Sequence, residues 1–199
     1  MGGPATVPQK MTLEEFYAWA DRQEAPYEFV GGVPVPLYPE ADESGVVRAM
    51  AGGTWDHHTV ISNVASLLTR RKPAGCRVGA GAVIELADDT GRTRLPDVLL
   101  SCAQAEKGVR GAPAPVLLVE VLSPTTADLD KGQKLDEYTL LPSVREVWLI
   151  DSTRRWAKIH RRVEGGWFVS DAIGQGGFRS EVLGGEEVSM DELYADTPV

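Results

Sequence analysis

Apolar positions recur at helical spacing in some stretches of this chain and alternate with polar ones in others. In TLEEFYAWADR (12–22), Leu13, Phe16, Tyr17 and Ala20 share one helical face behind Thr12 and Glu15 in capping-box spacing, which predicts a first helix. YEFVGGVPVPLYP (27–39) predicts two extended pieces about the Gly31-Gly32 turn, a hairpin loosened by its prolines. Residues 40–48 are polar and turn-rich and are expected to form a loop or insertion. In HHTVISNVASLLTRR (57–71), Val60, Ile61, Val64, Leu67 and Leu68 form the buried stripe of a second, amphipathic helix, which Pro73 and Gly75 stop.

From Cys76 the period changes to two. CRVGAGAVIEL, RLPDVLLSC and APVLLVEVLS are consecutive strand candidates, and the last two are apolar enough for the middle of a sheet. A third helix is expected over 129–141, with Leu135 and Tyr138 inward. REVWLID, WAKIHRRV and GWFVSDA read as further strands, and SMDEL as a final helical turn. The order predicts an α/β fold, α+β mixed, with a central mixed sheet flanked by helices and an N-terminal helix and hairpin. Residues 1–199 are expected to form a single domain, with 1–10 as a flexible head.

Composition narrows the class. The 199 residues are 43% hydrophobic and 25% charged, enough to bury one good core. Cys76 and Cys102 suggest neither a disulfide framework nor a structural zinc site, so they are expected to be free thiols in a reducing, cytoplasmic setting. Apolar runs such as PVLLVEVL are broken by charge and fall short of the ~20 residues of a membrane helix, so no membrane is expected as a partner. The net charge of −9 counts against a surface that binds nucleic acid everywhere, but not against a local basic groove. Arg70 and Arg71 in one cluster, and Arg154 and Arg155 in another, could line such a groove or could be solvated faces.

The two most apolar strands each carry one acid, Asp97 in PDVLL and Glu120 in LLVEVLS. A carboxylate in a sheet centre is costly unless it is paired or bound to a metal. Spacing leaves two readings open. One is an Asp at a strand entry, after Pro96, with a Glu capped by an arginine. The other is a pair that holds a divalent cation such as Mg²⁺, whose remaining ligands are water and substrate phosphate, for hydrolysis of a nucleic-acid backbone.

The run CRVGAGAVIELADDTGRTRLPDVLLSC, followed by PVLLVEVLSPTTADLDKGQKLDEYTLLPSVREVWLID, resembles the Uma2 family of bacterial restriction-endonuclease-like proteins with the PD-(D/E)XK nuclease fold. YEFVGG, MAGGTWDHHTVISNV and GGW extend the resemblance over nearly the whole chain. It implies a restriction-endonuclease-like core and DNA cleavage dependent on Mg²⁺ (or Mn²⁺), with Asp97 and Glu120 as ligands. The glutamate of the family's opening YE…G segment matches Glu28, which implies a third acid facing the metal.

In the broader nuclease pattern a lysine lies two residues after the glutamate, on the same face of the strand. Here that place is held by Leu122. The cation is therefore expected from the following helix, from Lys131 or from Lys134, and the family's D-x-G-x-K segment, here DKGQK, favours Lys134. His57 matches the family's histidine and is expected to bond the helix start or a phosphate rather than a metal, because His57 and His58 lack the i, i+4 spacing of paired ligands. Tyr138, one turn beyond Lys134, could orient that lysine or simply pack. GAGAV lies inside a strand candidate and is no dinucleotide fingerprint, and no G-x-S-x-G elbow is present. Cutting both strands of a duplex calls for two sites, so a homodimer is expected. The alternative is a catalytically inactive nuclease-fold module for binding or regulation.

Overall fold

The computed structural model describes residues 10–37, 39–41, 47–49, 54–86, 91–104, 107–122 and 129–199. The chain divides into two compact units, Met1–Gly52 with Glu85–Leu95, and Gly53–Ile84 with Pro96–Val199.

The first unit holds α1 (Leu13–Ala20), β1 (Tyr27–Val30) and β2 (Val33–Pro36). The capping box closes as expected: Thr12 Oγ1 accepts the Glu15 N–H at 3.2 Å, and the Glu15 carboxylate accepts the Thr12 N–H at 2.8 Å. Phe16 stacks on Phe29 of β1 with ring centroids 4.9 Å apart. Gly31 and Gly32 turn the β1–β2 hairpin at φ of 62° and 88°, a left-handed turn that residues with a Cβ rarely make. The two ends of the expected 40–48 loop instead form a short antiparallel pair, β3 (Pro39–Ala41) with β4 (Val47–Ala49), and residues 42–46 lie outside the described residues. β6 (Ile84–Glu85) and β7 (Thr93–Arg94) form a two-stranded ribbon.

The second unit carries α2 (Trp55–Arg71), α3 (Leu129–Leu140), α4 (Met190–Leu193) and a six-stranded sheet. The sheet is built of β5 (Arg77–Ala80), β8 (Val98–Ser101), β9 (Pro115–Leu122), β10 (Glu146–Asp151), β11 (Trp156–Val163) and β12 (Gly166–Ile173), in the order β12-β11-β10-β9-β8-β5. β9 and β10 pair in parallel, with α3 between them in sequence, and the other neighbours are antiparallel. Of the predicted stripe of α2, Val60, Val64, Leu67 and Leu68 are buried in one cluster with Val98, Leu100, Leu117, Val119 and Val121, and Ile61, half-buried, packs against it. Period two then turns Leu99, Leu118 and Glu120 to the opposite face. A hairpin of β13 (Gly177–Ser180) and β14 (Glu186–Ser189) completes the unit. Among the described residues no helix is long and apolar enough to cross a membrane.

Two sequence expectations are corrected. CRVGAGAVIEL is not one strand: β5 ends at Ala80, and Gly81, at φ of 57°, turns the chain out of the sheet. Cys76 and Cys102 are not free thiols but a disulfide. The antiparallel register pairs Arg77 with Ser101, and the two cysteines directly flank that pair. Spacing along the chain carries no sign of this; only strand pairing brings them together.

Candidate functional site

The β8–β9 ladder pairs Val98 with Val119 and goes no further. Val121, two residues on, still presents an N–H and a C=O toward the vacated ladder position. Two side chains satisfy them. The Asp97 carboxylate accepts the Val121 N–H at 2.6 Å, and His57 Nε2, at 2.8 Å, donates to the Val121 C=O. His57 enters from the first turn of α2, where Thr54 caps the helix by accepting its N–H at 3.3 Å.

Burial holds the His57 pKa below its usual value, partly offset by the bond to Val121. With Nε2 as donor to Val121, the neutral ring has Nδ1 as its acceptor nitrogen, and Nδ1 is buried without a partner among the described residues. Nε2 also lies 4.0 Å from Asp97 Oδ2. His57 is thus a hydrogen bonder that sets the end of β9.

Glu120 precedes Val121 on the face opposite α2. The Tyr138 hydroxyl donates to its Oε1 at 2.5 Å, and Tyr138 itself is fully buried. Tyr138 therefore acts on the acid directly. Lys134, half-buried, sits one helical turn before Tyr138 on the same side of α3. The side chain of Lys131 lies outside the described residues.

Glu28 belongs to the first unit, and it is 4% exposed. One oxygen accepts from Arg94 Nη1 at 2.8 Å and the other from the Leu95 N–H at 3.1 Å. Arg94, in the same RLPD stretch as Asp97, is a site residue that no local pattern marks, because the acid it pairs with lies 66 positions away.

The basic clusters are answered by acids of the same chain. Arg71 meets Glu192 at 2.5 Å, Arg154 meets Asp151 at 2.8 Å, and Arg155 is bound by Asp191. Arg70 donates to Ser66 Oγ at 2.5 Å.

Asp97 and Glu120 suit a hard cation by chemistry. Both are partly open to solvent, and oxygen donors of this kind bind Mg²⁺, which commonly keeps waters and takes only one or two carboxylates. Among the described residues no group of three or more His, Cys, Asp or Glu forms a fuller cage.

The comparisons agree with this architecture. The model of the Uma2 family, described as "Putative restriction endonuclease", matches residues 13–186. An uncharacterized protein of Synechocystis sp. is 26% identical over 169 residues, which cover 83% of this chain and 82% of the relative. A crystal structure described as a "putative nuclease belonging to DUF820", from Anabaena variabilis, superposes with a TM-score of 0.65 at 19% identity, covering 93% of this chain and 98% of that one. That likeness gives a nuclease-like fold.

Proposed function

The chain belongs to the Uma2 family, and from that premise we propose that it is a Mg²⁺- or Mn²⁺-dependent DNA endonuclease that hydrolyses phosphodiester bonds at Asp97 and Glu120. The observation that supports this most is the pair itself. Two acids on the central apolar strands are held at one strand end, one by the Val121 N–H and one by the Tyr138 hydroxyl, on positions that water can reach.

A divalent cation on these oxygens would lower the pKa of a bound water and stabilise the leaving oxygen. Asp97 and Glu120 contribute oriented negative charge for it. Lys134, from one turn before Tyr138, contributes the ammonium that orients the attacking water or steadies the phosphate in place of the missing strand lysine. His57 keeps the Val121 peptide, and with it the neighbouring glutamate, in position. Glu28, occupied by Arg94 and Leu95, is left outside the proposed metal pair. We extend the proposal to a homodimer that meets duplex DNA with one site per strand, using the edge strand β12, where Phe168 and Ile173 are 53% and 68% exposed.

Purified protein with Mg²⁺ or Mn²⁺ is expected to nick or cut plasmid DNA, and Asp97→Asn to lose that activity. Unchanged cleavage in the variant would remove the assignment.

A second reading, a catalytically inactive nuclease-fold module, is favoured by Leu122 in the lysine position and by the acids that answer Arg71, Arg154 and Arg155. Calorimetric titration separates the two, since the module takes up no Mn²⁺ at millimolar concentration.

A further inference from the structure

The sheet face that carries Glu120 also bears a cavity of about 230 Å³ at its far edge, lined by Arg77, Gly79, Leu99, Ser101, Val109 and Arg110 among others. Leu99 pairs with Gly79 on one side and with Leu118 on the other, so Arg77, Gly79, Leu99, Leu118 and Glu120 point the same way across β5, β8 and β9. The floor is kept low by small residues: a Cβ on Gly79 would come 2.8 Å from the Ala82 Cβ.

What sets this cavity apart is the state of Arg77. Arg71, Arg154 and Arg155 each have a carboxylate partner. The exposed Arg77 guanidinium meets no acid or hydrogen-bond acceptor among the described residues. In a chain with a net charge of −9, a guanidinium left unpaired in a concave site is placed to take an anion from outside. Arg110 brings a second guanidinium from the segment before β9.

We propose that this cavity is a phosphate subsite that seats the backbone of a bound nucleic-acid strand, with Arg77 as the contacting residue and Arg110 beside it. The identification of the anion as a nucleic-acid phosphate rests on the nuclease reading above. Arg77 and Glu120 are four residues apart along the strands and two strands apart across the sheet, on the order of 16 Å. One strand of DNA spans that distance in about five nucleotides at 3.4 Å each. Leu99 and Leu118 between them are buried, so a strand whose phosphate sits at Arg77 would pass over the segments that cover this face to reach the carboxylate pair.

The test is binding of a short fluorescent DNA duplex, measured by anisotropy in EDTA over a series of salt concentrations, so that cleavage plays no part. Arg77→Gln is expected to weaken binding and to lower the slope of log affinity against log salt by about 1, the loss of one phosphate contact. Arg77→Lys is expected to keep the slope, and Arg145→Gln, which removes an exposed arginine outside the cavity, to bind as wild type does. Melting curves that overlay wild type exclude misfolding of the variants. An Arg77→Gln protein with wild-type affinity and slope overturns the subsite, as does a wild type that binds no duplex at low salt. If the Arg77 effect is present but no metal yields cleavage, the subsite stands and the nuclease reading fails. If Asp97→Asn abolishes a real cleavage while Arg77→Gln binds normally, the nuclease reading stands and the subsite fails.

Discussion

The Asp97 carboxylate and the Val121 N–H are joined at 2.6 Å, so the acid at the head of one central strand is tied to the residue that follows Glu120 on the next. This bond gives Asp97 a structural task beside its proposed chemical one, and substitutions can separate the two. Asp97→Ala strands a partly buried N–H and is expected to cost about 1–3 kcal/mol of stability as well as cleavage. Asp97→Asn keeps an oxygen for Val121 and removes only the charge, so it should fold with near wild-type stability yet lose Mn²⁺ binding. Urea denaturation and calorimetric Mn²⁺ titration of both variants check this. An Asn variant that binds Mn²⁺ like wild type would make Asp97 a strand cap and no ligand.

Tyr138 holds Glu120 from α3, with its hydroxyl 2.5 Å from Oε1. Tyr138→Phe removes that donor and keeps the ring that fills the core. A hydrogen bond to a charged group contributes roughly 1.5–3 kcal/mol, and the partial exposure of Glu120 places the expected cost at the lower end. With its tether gone, Glu120 gains rotamer freedom, so Mn²⁺ affinity should fall too. Stability reduced with metal affinity unchanged would limit Tyr138 to packing.

Much of this arrangement was legible in the sequence where the signal is local. The stripe Val60, Val64, Leu67 and Leu68 marked the buried face of α2, and Thr12 with Glu15 marked the start of α1. The two strand acids stood out because charge interrupts an apolar run. What stayed hidden depends on pairing across the chain. Glu28 and Arg94 are 66 positions apart, and nothing near either one names the other. Composition argued against a disulfide that strand register creates. Runs of arginine gave no sign of Glu192 and Asp191, which fold against Arg71 and Arg155 from 121 and 36 positions away. The Val121 backbone, which both Asp97 and His57 serve, has no side-chain signature at all.

Lys134 and Leu122 test where the active cation comes from. Lys134→Met should leave Mn²⁺ binding intact and lower the cleavage rate by about 10²-fold or more, in the range of a lost proton-transfer or positioning group. Leu122 is half-buried and two residues past Glu120, so by period two it faces the same side. Adding Leu122→Lys to Lys134→Met restores the E-x-K spacing and is expected to recover part of the rate. Single-turnover cleavage measures both; full activity in Lys134→Met would shift the role away from this helix.

The Cys76–Cys102 disulfide closes a loop with a sequence separation of 26 beside the Arg77–Ser101 pair. By loop-closure entropy a bridge of this span stabilises by about 3.5 kcal/mol. Reduction, or Cys102→Ser, is therefore expected to lower the melting temperature by several degrees or more. Scans with and without reductant, with thiols counted by alkylation and mass, give the answer. Two alkylatable thiols in protein purified without reductant would show that the bridge does not form.

His57 and His160 give a pH dependence with a definite sign. Burial lowers the pKa of both; the Val121 hydrogen bond opposes it at His57, and the charge of Lys158 adds to it at His160. Once unfolded, each returns toward 6.5, so below that pH the unfolded chain binds more protons than the folded one. Their contribution is fully present above pH 6.5 and is lost as pH falls through 6.5 toward the lower folded values. The urea midpoint should therefore drop between about pH 7 and pH 5.5, before most carboxylates titrate. His57→Gln can still donate to the Val121 C=O but takes up no proton in this range, so its midpoint should fall less over the same interval. A variant whose midpoint follows the wild-type curve would mean that folding leaves the protonation of His57 unchanged, and one whose midpoint falls more than wild type would mean that His57 is charged in the folded state and the neutral donor drawn at the end of β9 is wrong.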